Sequence, residues 1–335
     1  MIRVGLNGYG RIGRLAHRRM LNHPDLEVAA INARSEDAAM RAHLLKYDSI
    51  HGRMDNQFGY DDKNIIIDGK KIRCFAVKDA SEIPWPEVGV DVVIECTGKA
   101  KTYDIAAKHL TAGAKKVVVS APMKDDTPTF VLGVNEKDLK PEHHVISNAS
   151  CTTNCIAAPI KLLHEKWGVL NVSASSIHAV THSQNLLDNS GRDLRRARSA
   201  LMSIIPTTTG AVSVIGKLLP ELDGKMDGIA YRVPVLNSSI VDMVVHLEKE
   251  VTKDEVNDFF RGIAKDPYYD PIIDVTEESL VSIDFRGNPH SSIIDVGLTQ
   301  VMNGHYVKLF LWYDNEWGYV NRLVDMTGLM AKQLG

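Results

Sequence analysis

Apolar residues in the first half of the chain form short continuous runs separated by segments with helical spacing. The first two runs, residues 2–6 and 26–31, flank a helix-like segment at 14–21. Continuous runs of this length are typical of parallel strands that are buried on both faces. Further strands are expected at 64–67, 71–75, 91–95, 116–120, 129–133 and 144–148, and helices at 37–50 and 103–112. The pattern predicts an α/β domain over residues 1–150.

Longer strands with few helices between them are expected in the second half. They lie at 173–179, 228–233, 239–249, 279–284, 291–300 and 305–312, with helices at 155–167 and from about 211. Such lengths suggest a largely antiparallel sheet covered by helices, and hence an α+β domain over 151–317. A last helix, 318–335, is apolar on one side and is expected to pack back on the first domain.

A glycine-rich turn joins the first predicted strand to the first helix. Gly8, Gly10 and Gly13 form the pattern G-x-G-x-x-G. The first glycine permits a tight turn, the second lets the backbone approach a pyrophosphate, and the third lets helix and strand pack closely. Amides of Arg11 and Ile12 then face the phosphates from the helix N-terminus. This context predicts a Rossmann dinucleotide-binding domain, and a glycine turn of an unrelated α/β protein is the minor alternative.

Polar residues stand at the carboxyl ends of several predicted strands of this domain. Ligands of parallel sheets bind beyond these ends, so the residues are expected to line one crevice. They are Gly8, Asn32, Thr97, Ser120 and Ser147, and Lys78 begins the loop after the strand at 71–75.

The second strand ends without the carboxylate that usually binds the ribose of NAD. That carboxylate is expected about 20 positions after the glycine motif, where this chain has Asn-Ala-Arg-Ser at 32–35. A carboxylate would repel a 2′-phosphate, whereas arginine and serine would bind one. The segment therefore favours NADP. The alternative is that Arg34 points into solvent and that Glu36 or Asp37 binds the ribose.

A cysteine follows the last strand of the first domain, where a loop becomes a helix. Cys151 follows polar residues, and Ser150 or Thr152 is expected to cap the helix. The positive helix N-terminus favours a thiolate, so Cys151 is a candidate nucleophile. The alternative is that Cys151 and Cys155 are buried on one helical face, which suits Cys155. A disulfide across one turn would have poor geometry, and a metal would need two more ligands nearby.

The overall composition excludes several classes of protein. The 335 residues are 44% hydrophobic, which suits two globular domains, and the net charge of -3 indicates no strong attraction to nucleic acid or membranes. The four cysteines lie at irregular positions and suggest a reducing compartment. We find no leader and no apolar run of about 20 residues, so we expect a cytoplasmic protein without a membrane span.

The cysteine and the nucleotide crevice together predict aldehyde oxidation through a covalent intermediate. A thiolate adds to the aldehyde, hydride leaves for a nicotinamide, and a thioester remains. A base must take the hydroxyl proton, and His178, which ends an apolar strand, is the best candidate among 13 histidines. Good anion sites would be formed by Thr181, Arg196, Thr209, Gly210 and Arg232. Arg195 and Arg198 are expected on a solvated face or in salt bridges.

These residues together resemble the phosphorylating glyceraldehyde-3-phosphate dehydrogenases over nearly the whole chain. The matching motifs are N-G-Y-G-R-I-G at 7–13, K-Y-D-S-I-H-G-R at 46–53, S-N-A-S-C-T-T-N-C at 147–155, D-L-R-R-A-R at 193–198, I-I-P-T-T-T-G at 204–210, R-V-P at 232–234, P-H-S at 289–291 and W-Y-D-N-E-W-G-Y at 312–319. The cysteine motif is the most specific of them.

The resemblance implies a role for each site residue. Cys151 is the nucleophile and His178 its base. Inorganic phosphate would be held by Ser150, Thr152, Thr209 and Gly210. The substrate's own phosphate would be held by Thr181, Arg196 and Arg232, unless these share both anion sites. Asn315 would bind the nicotinamide carboxamide and Tyr319 would flank the ring. A homotetramer is also implied, in which segment 181–202 reaches a neighbouring subunit's cofactor pocket.

Some positions depart from the family pattern. Members that use NAD have Asp where this chain has Ala33, and Leu-Pro where it has Asn189 and Ser190. Both changes fit a 2′-phosphate, so the resemblance implies an NADP-preferring member, with NAD possible. His182, counted with the cofactor contacts, lies in an altered stretch at 178–184.

Three hypotheses follow for the function. The first is an NADP-preferring phosphorylating glyceraldehyde-3-phosphate dehydrogenase that acts on glyceraldehyde 3-phosphate and inorganic phosphate. The second is erythrose-4-phosphate dehydrogenase, which releases an acid by hydrolysis. The third is a non-catalytic scaffold or RNA-binding protein, against which the intact cysteine, histidine and anion sites argue.

Overall fold

In a computed structural model, residues 1–35, 37–191 and 193–334 are described. The chain divides into two compact units. The first comprises Met1–Val131, Asn135–Ser150 and Val320–Gly335, and the second comprises Leu132–Val134 and Cys151–Tyr319. Within the described residues, no helix has both the length and the apolar character that crossing a membrane requires.

The first unit is an α/β sheet structure. Its strands are β1 (Ile2–Asn7), β2 (Leu26–Asn32), β3 (Tyr47–Asp48), β4 (Gly52–Arg53), β5 (Phe58–Tyr60), β6 (Asn64–Ile67), β7 (Lys70–Phe75), β8 (Val92–Glu95), β9 (Lys116–Val119) and β10 (Val145–Ser147). Its helices are α1 (Arg11–Met20), α2 (Ala38–Lys46) and α3 (Tyr103–Thr111), with 3-10 turns at Ala80–Glu82, Trp85–Val88 and Glu136–Asp138. The main sheet has the order β10-β9-β8-β1-β2-β7-β6-β5, and β10 through β7 run parallel. β3 and β4 pair with each other.

The parallel strands of the first unit end level with one another. Asn7 at the end of β1 pairs with Asn32 of β2 and with Glu95 of β8. Their side chains continue this row, because Asn7 Nδ2 donates to Glu95 Oε2 at 2.5 Å and Asn32 Nδ2 donates to Asn7 Oδ1 at 2.8 Å. The strands β8, β9 and β10 are buried along their whole length, as their continuous apolar runs predict. The level edge is the side on which such sheets bind ligands.

The second unit contains the other sheet. Its strands are β11 (Val169–His178), β12 (Ile205–Thr208), β13 (Met226–Arg232), β14 (Ser239–Leu247), β15 (Ile273–Thr276), β16 (Ser292–Asp295), β17 (Gln300–Met302) and β18 (Tyr306–Tyr313). Its helices are α4 (Cys151–Trp167), α5 (Ala211–Leu218), α6 (Lys253–Ile263) and the start of α7 (Trp317–Lys332), with 3-10 turns at Pro220–Leu222 and Ser282–Phe285. The order is β12-β13-β11-β14-β18-β16-β15, with β17 beside β18. Most pairs are antiparallel, and β11–β13 and β15–β16 are parallel. The predicted fold class, a Rossmann unit followed by a largely antiparallel α+β unit, is confirmed.

Several predicted elements differ from the structure. The predicted strand 129–133 is reduced to a single parallel β-bridge between Thr129 and Ser147. It does not continue, because the Asn135 side chain accepts from Val131 N and donates to the Thr129 carbonyl. The predicted strand 279–284 contains a 3-10 turn instead. The helix expected over 37–50 ends at Lys46, where β3 and β4 begin to pair. In each case side-chain or turn hydrogen bonds outweigh the apolar pattern.

Candidate active site

The glycine turn of the first unit forms an open cradle at the N-terminus of α1. Gly8 has a φ of +94°, and a Cβ added there would lie 2.8 Å from the Cys96 carbonyl carbon. A Cβ on Gly13 would lie 2.1 Å from Gly8 O, whereas a Cβ on Gly10 would meet no atom of the described residues within 4 Å. Among the described residues no side chain caps α1, and its first turn contains no acidic residue. These residues therefore fit the pyrophosphate of a dinucleotide cofactor.

Gly13→Ala is expected to destabilise the protein by about 2 kcal/mol or more, because the new methyl group would overlap the Gly8 carbonyl oxygen. Gly10→Ala is the matched control, since its methyl group would have no neighbour within 4 Å in the described part of the chain. We expect it to preserve the melting temperature and to weaken dinucleotide binding. Thermal unfolding and cofactor titration measure both effects, and an unchanged melting temperature for Gly13→Ala would contradict the packing argument.

Other predicted cofactor residues lie along the level edge of the first unit. Asn32 is buried, and its side chain donates to Val77 O at 3.0 Å and accepts from Val77 N at 2.9 Å, so it holds a loop. Asp37 caps α2 through Met40 N, while Glu36 lies outside the described residues. The remaining candidates are half-buried or exposed, namely Arg11, Ile12, Ala33, Arg34, Lys78, Thr97 and Ser120.

The second unit brings the predicted nucleophile and base together. Cys151 is the first residue of α4, and His178 is the last residue of β11. The Cys151 Sγ atom lies 3.4 Å from His178 Nε2. The cysteine is half-buried and the histidine is 4% exposed. This geometry allows a proton to pass directly between sulfur and imidazole.

The other ring nitrogen of His178 faces an arginine and a carbonyl. Nδ1 lies 2.5 Å from Arg232 Nη1 and 2.7 Å from Ala179 O. Arginine can only donate and a carbonyl can only accept, so Nδ1 serves one of them at a time. When it accepts from Arg232 the ring carries its proton on Nε2, and when it donates to Ala179 O the Nε2 atom is free to accept from the thiol. Burial and the charge of Arg232 lower the pKa of His178 to about 3. The ring is therefore neutral at physiological pH.

The thiol is also neutral in the ligand-free chain. Burial is the largest influence and raises the pKa of Cys151, while Arg232 and Thr152 oppose it. In the ligand-free chain, desolvation of the sulfur therefore outweighs the preference for a thiolate that the helix N-terminus gives. Of the two expected capping residues, Thr152 does not stand at the cap position, because it is the second helical residue and its Oγ1 lies 3.0 Å from the Tyr313 hydroxyl. Ser150 directly precedes the helix and is half-buried.

Two arginines lie near this pair, Arg232 at the end of β13 and Arg196 in the turn segment that precedes β12. Arg196 Nε donates to Thr207 Oγ1 of β12 at 2.7 Å, and β12 pairs with β13, where Arg232 is the last residue. Burial and the Arg196 charge both lower the pKa of Arg232, so the two cations repel each other. Thr209 and Gly210 directly precede α5. An anion bound here would relieve the repulsion between the arginines.

Comparison with known proteins agrees with both units. The family model described as the NAD binding domain of glyceraldehyde 3-phosphate dehydrogenase matches residues 2–103, and the C-terminal domain model matches 150–315. Glyceraldehyde-3-phosphate dehydrogenase from Geobacillus stearothermophilus is 48% identical over 333 residues, covering 99% of both chains. The Streptomyces coelicolor enzyme of that name is 49% identical over 335 residues, again covering 99% of both.

The chain belongs to the glyceraldehyde-3-phosphate dehydrogenase family. It is therefore an oxidoreductase with an NAD(P)-binding domain, and the predicted enzyme class is confirmed. Within the described residues, no cluster of three or more His, Cys, Asp or Glu side chains is placed to hold a metal. Cys74, Cys96, Cys151 and Cys155 are free thiols.

The other residues that the family resemblance implies occupy different surroundings. Thr181 Oγ1 shares a 2.9 Å hydrogen bond with Ser183. Asn315 and Tyr319 are buried around the start of α7. Arg198 forms an exposed ion pair with Asp188 at 2.8 Å, as expected for a solvated face. The exposed candidates are His182, Asn189, Ser190 and Gly210.

Sequence reasoning about the glyceraldehyde-3-phosphate dehydrogenase motifs missed Tyr313 and Asp314. The Tyr313 ring packs edge-on to His178, with centroids 6.1 Å apart, and its hydroxyl also reaches Ser176 Oγ at 3.2 Å. Asp314 is fully buried and accepts from Asn237 Nδ2 at 2.9 Å. Exposed and buried positions alternate along β18, and Tyr313 falls on the buried side. Because a buried hydroxyl needs hydrogen-bond partners, this alternation could have indicated from the sequence that Tyr313 contacts the site.

Proposed function

We propose that this protein catalyses the reversible phosphorylating oxidation of glyceraldehyde 3-phosphate to 1,3-bisphosphoglycerate, with NADP preferred over NAD. The 3.4 Å contact between Cys151 Sγ and His178 Nε2 is the observation that supports this most directly. A sulfur nucleophile, a neutral base and neighbouring arginines are the parts that such a reaction needs.

The chemistry would begin at the sulfur. Cys151 Sγ bonds to the aldehyde carbon, and its proton passes through His178 to the aldehyde oxygen, which gives a thiohemiacetal. A coenzyme bound at the glycine cradle would supply the acceptor for the hydride that leaves this carbon. His178 takes the hydroxyl proton as this hydride leaves, so that a thioester remains on Cys151. Inorganic phosphate then attacks the thioester carbon and releases the sulfur, which regains its proton from His178.

Arg232 would link substrate binding to the strength of the base. Its charge lowers the pKa of His178 in the ligand-free chain. A phosphate bound by Arg232 and Arg196 would neutralise that charge and raise the pKa of His178. With the guanidinium drawn towards phosphate, Nδ1–H of His178 would donate to Ala179 O and leave Nε2 free to accept. The base would therefore strengthen when substrate is present.

The loop after β2 supports the preference for NADP. Ala33 offers no carboxylate to repel a 2′-phosphate, and Arg34 is exposed there. The buried Arg41 adds a charge, because its guanidinium donates to the carbonyls of Phe75 at 2.9 Å and of Ser35. Among the described residues its contacts are carbonyl oxygens, so no carboxylate neutralises it. This charge favours a further phosphate at the loop.

The proposed enzyme is a homotetramer that works in a reducing compartment such as the cytoplasm. Segment 181–202 exposes large apolar side chains that a neighbouring subunit would cover, namely Leu186, Leu187, Leu194 and Met202. The free thiols suit a reducing compartment.

Steady-state kinetics with each coenzyme, with and without phosphate, tests the proposal. We expect kcat/KM to be at least about tenfold higher with NADP, as a charge-assisted phosphate site would give. We also expect turnover to require phosphate. A large preference for NAD would refute the coenzyme assignment. Phosphate-independent turnover of erythrose 4-phosphate would favour the hydrolytic alternative, and failure to reduce either coenzyme would favour a non-catalytic protein.

The variant Ala33→Asp provides the matched control for the coenzyme. A carboxylate at this position would repel the 2′-phosphate and accept from the ribose hydroxyls of NAD. We expect efficiency with NADP to fall by about tenfold or more while efficiency with NAD is maintained or rises.

A further inference from the structure

Ser239, at the start of β14, has its hydroxyl between two buried partners. The residue is 2% exposed. Its Oγ accepts from Ala179 N at 3.1 Å and donates to Asn315 Oδ1 at 3.0 Å. β14 pairs with β11, which ends at His178, and with β18, which ends two residues before Asn315. One hydroxyl thus joins the peptide after the base to a proposed nicotinamide ligand.

The partners available to the Ser239 hydroxyl indicate the direction of both bonds. The backbone N–H of Ala179 can only donate, so it uses Ser239 Oγ as its acceptor. A second lone pair could also accept from an amide N–H, but among the described residues the hydroxyl hydrogen has no acceptor other than Asn315 Oδ1. The buried hydroxyl is therefore fully satisfied only when Asn315 presents its oxygen. Asn315 Nδ2 therefore faces away from Ser239. Among the described residues, Nδ2 has no hydrogen-bond partner and remains available to a ligand.

We propose that Ser239 is a positioning residue that holds the Asn315 amide with its N–H donors towards the nicotinamide carboxamide. This inference rests on the proposed function, in which Asn315 binds that group. A carboxamide carries an acceptor oxygen and a donor NH₂ group. An N–H donor in a fixed position therefore binds the carboxamide only when the oxygen of the ligand faces it. Without the hydroxyl, the Asn315 amide would be free to turn over and would lose this selectivity.

Calorimetric titration with a coenzyme and with its nicotinamide-free fragment tests the inference. If the wild type binds NADP more tightly, NADP is compared with 2′,5′-ADP. If it binds NAD more tightly, NAD is compared with ADP. We expect Ser239→Ala to weaken coenzyme binding by about three- to tenfold, the effect of one hydrogen bond, and to leave the fragment unchanged. Ser238→Ala is the matched control, because that hydroxyl donates to Asn237 Oδ1 at 3.0 Å, and it should change neither.

Asn315→Asp tests the direction of the amide without altering Ser239. It keeps an acceptor towards Ser239 and replaces the outward donor by oxygen, so coenzyme binding should fall by about tenfold or more. Retained coenzyme binding would overturn the inference, because the outward atom would then already be an acceptor. If Asn315→Asp weakens coenzyme binding and Ser239→Ala does not, only the positioning role of Ser239 is refuted. If neither variant weakens coenzyme binding, Asn315 is not part of the proposed nicotinamide site either. Equal weakening of coenzyme and fragment by Ser239→Ala would indicate a structural role only.

Discussion

Replacing Cys151 by serine is expected to lower kcat for aldehyde oxidation by about 10⁴-fold or more, the scale of loss when a covalent nucleophile is removed. A hydroxyl is far less acidic than a thiol, so His178 removes its proton much less readily, and it is also a weaker nucleophile towards the aldehyde carbon. No thioester would form. Kinetics, together with mass spectrometry of the acylated protein in the absence of phosphate, measures this.

Cys155→Ala is the control for this experiment. Cys155 lies one helical turn further along α4, is fully buried, and has its Sγ 3.9 Å from Ser292 Oγ. We expect a small loss of stability, on the order of 1 kcal/mol, and turnover close to that of the wild type. Full turnover by Cys151→Ser, or loss of turnover in Cys155→Ala alone, would place the reacting sulfur elsewhere.

The sequence predicts the first unit better than the site of the second. Continuous apolar runs identify β1, β2, β8, β9 and β10, because strands buried on both faces need apolar residues at every position. The spacing of Gly8 and Gly13 predicts the cradle, since both requirements are local. The Cys151–His178 contact joins residues 27 positions apart, and periodicity carries no information about that distance.

Errors arose where surroundings rather than local pattern decide the outcome. The thiolate prediction counted the favourable helix terminus but could not include the desolvation that raises the pKa of Cys151. Segment 129–133 is apolar, yet the Asn135 side chain bonds to Val131 N and Thr129 O and so prevents a longer strand. The bonds of Ser239 depend on two neighbouring strands, so only the fold reveals their direction.

Replacing His178 by asparagine is expected to lower kcat/KM by about 10²–10⁴-fold, the usual contribution of a general base. It should also change the pH dependence. In the wild type the ring is already neutral above its pKa of about 3, so kcat/KM should be nearly flat between pH 6 and 8. The variant depends on the small thiolate fraction of Cys151, whose pKa is raised, so its log kcat/KM should climb by about one per pH unit. His246→Asn is the control, since that ring stacks on Tyr306 instead.

The stability of the same variant provides a readout independent of turnover. The pKa of His178 falls from its ordinary value of 6.5 to about 3 on folding. Below pH 6.5 the unfolded chain therefore binds a proton that the folded chain does not, and stability is lost as the pH falls. Asparagine cannot titrate, so the melting temperature of wild type should fall relative to that of His178→Asn between pH 7 and pH 4. If the difference in melting temperature between the two proteins stays constant with pH, the imidazole is not held neutral. The proposed role of His178 as a neutral base, and the flat pH dependence of kcat/KM expected for the wild type, would then both be wrong.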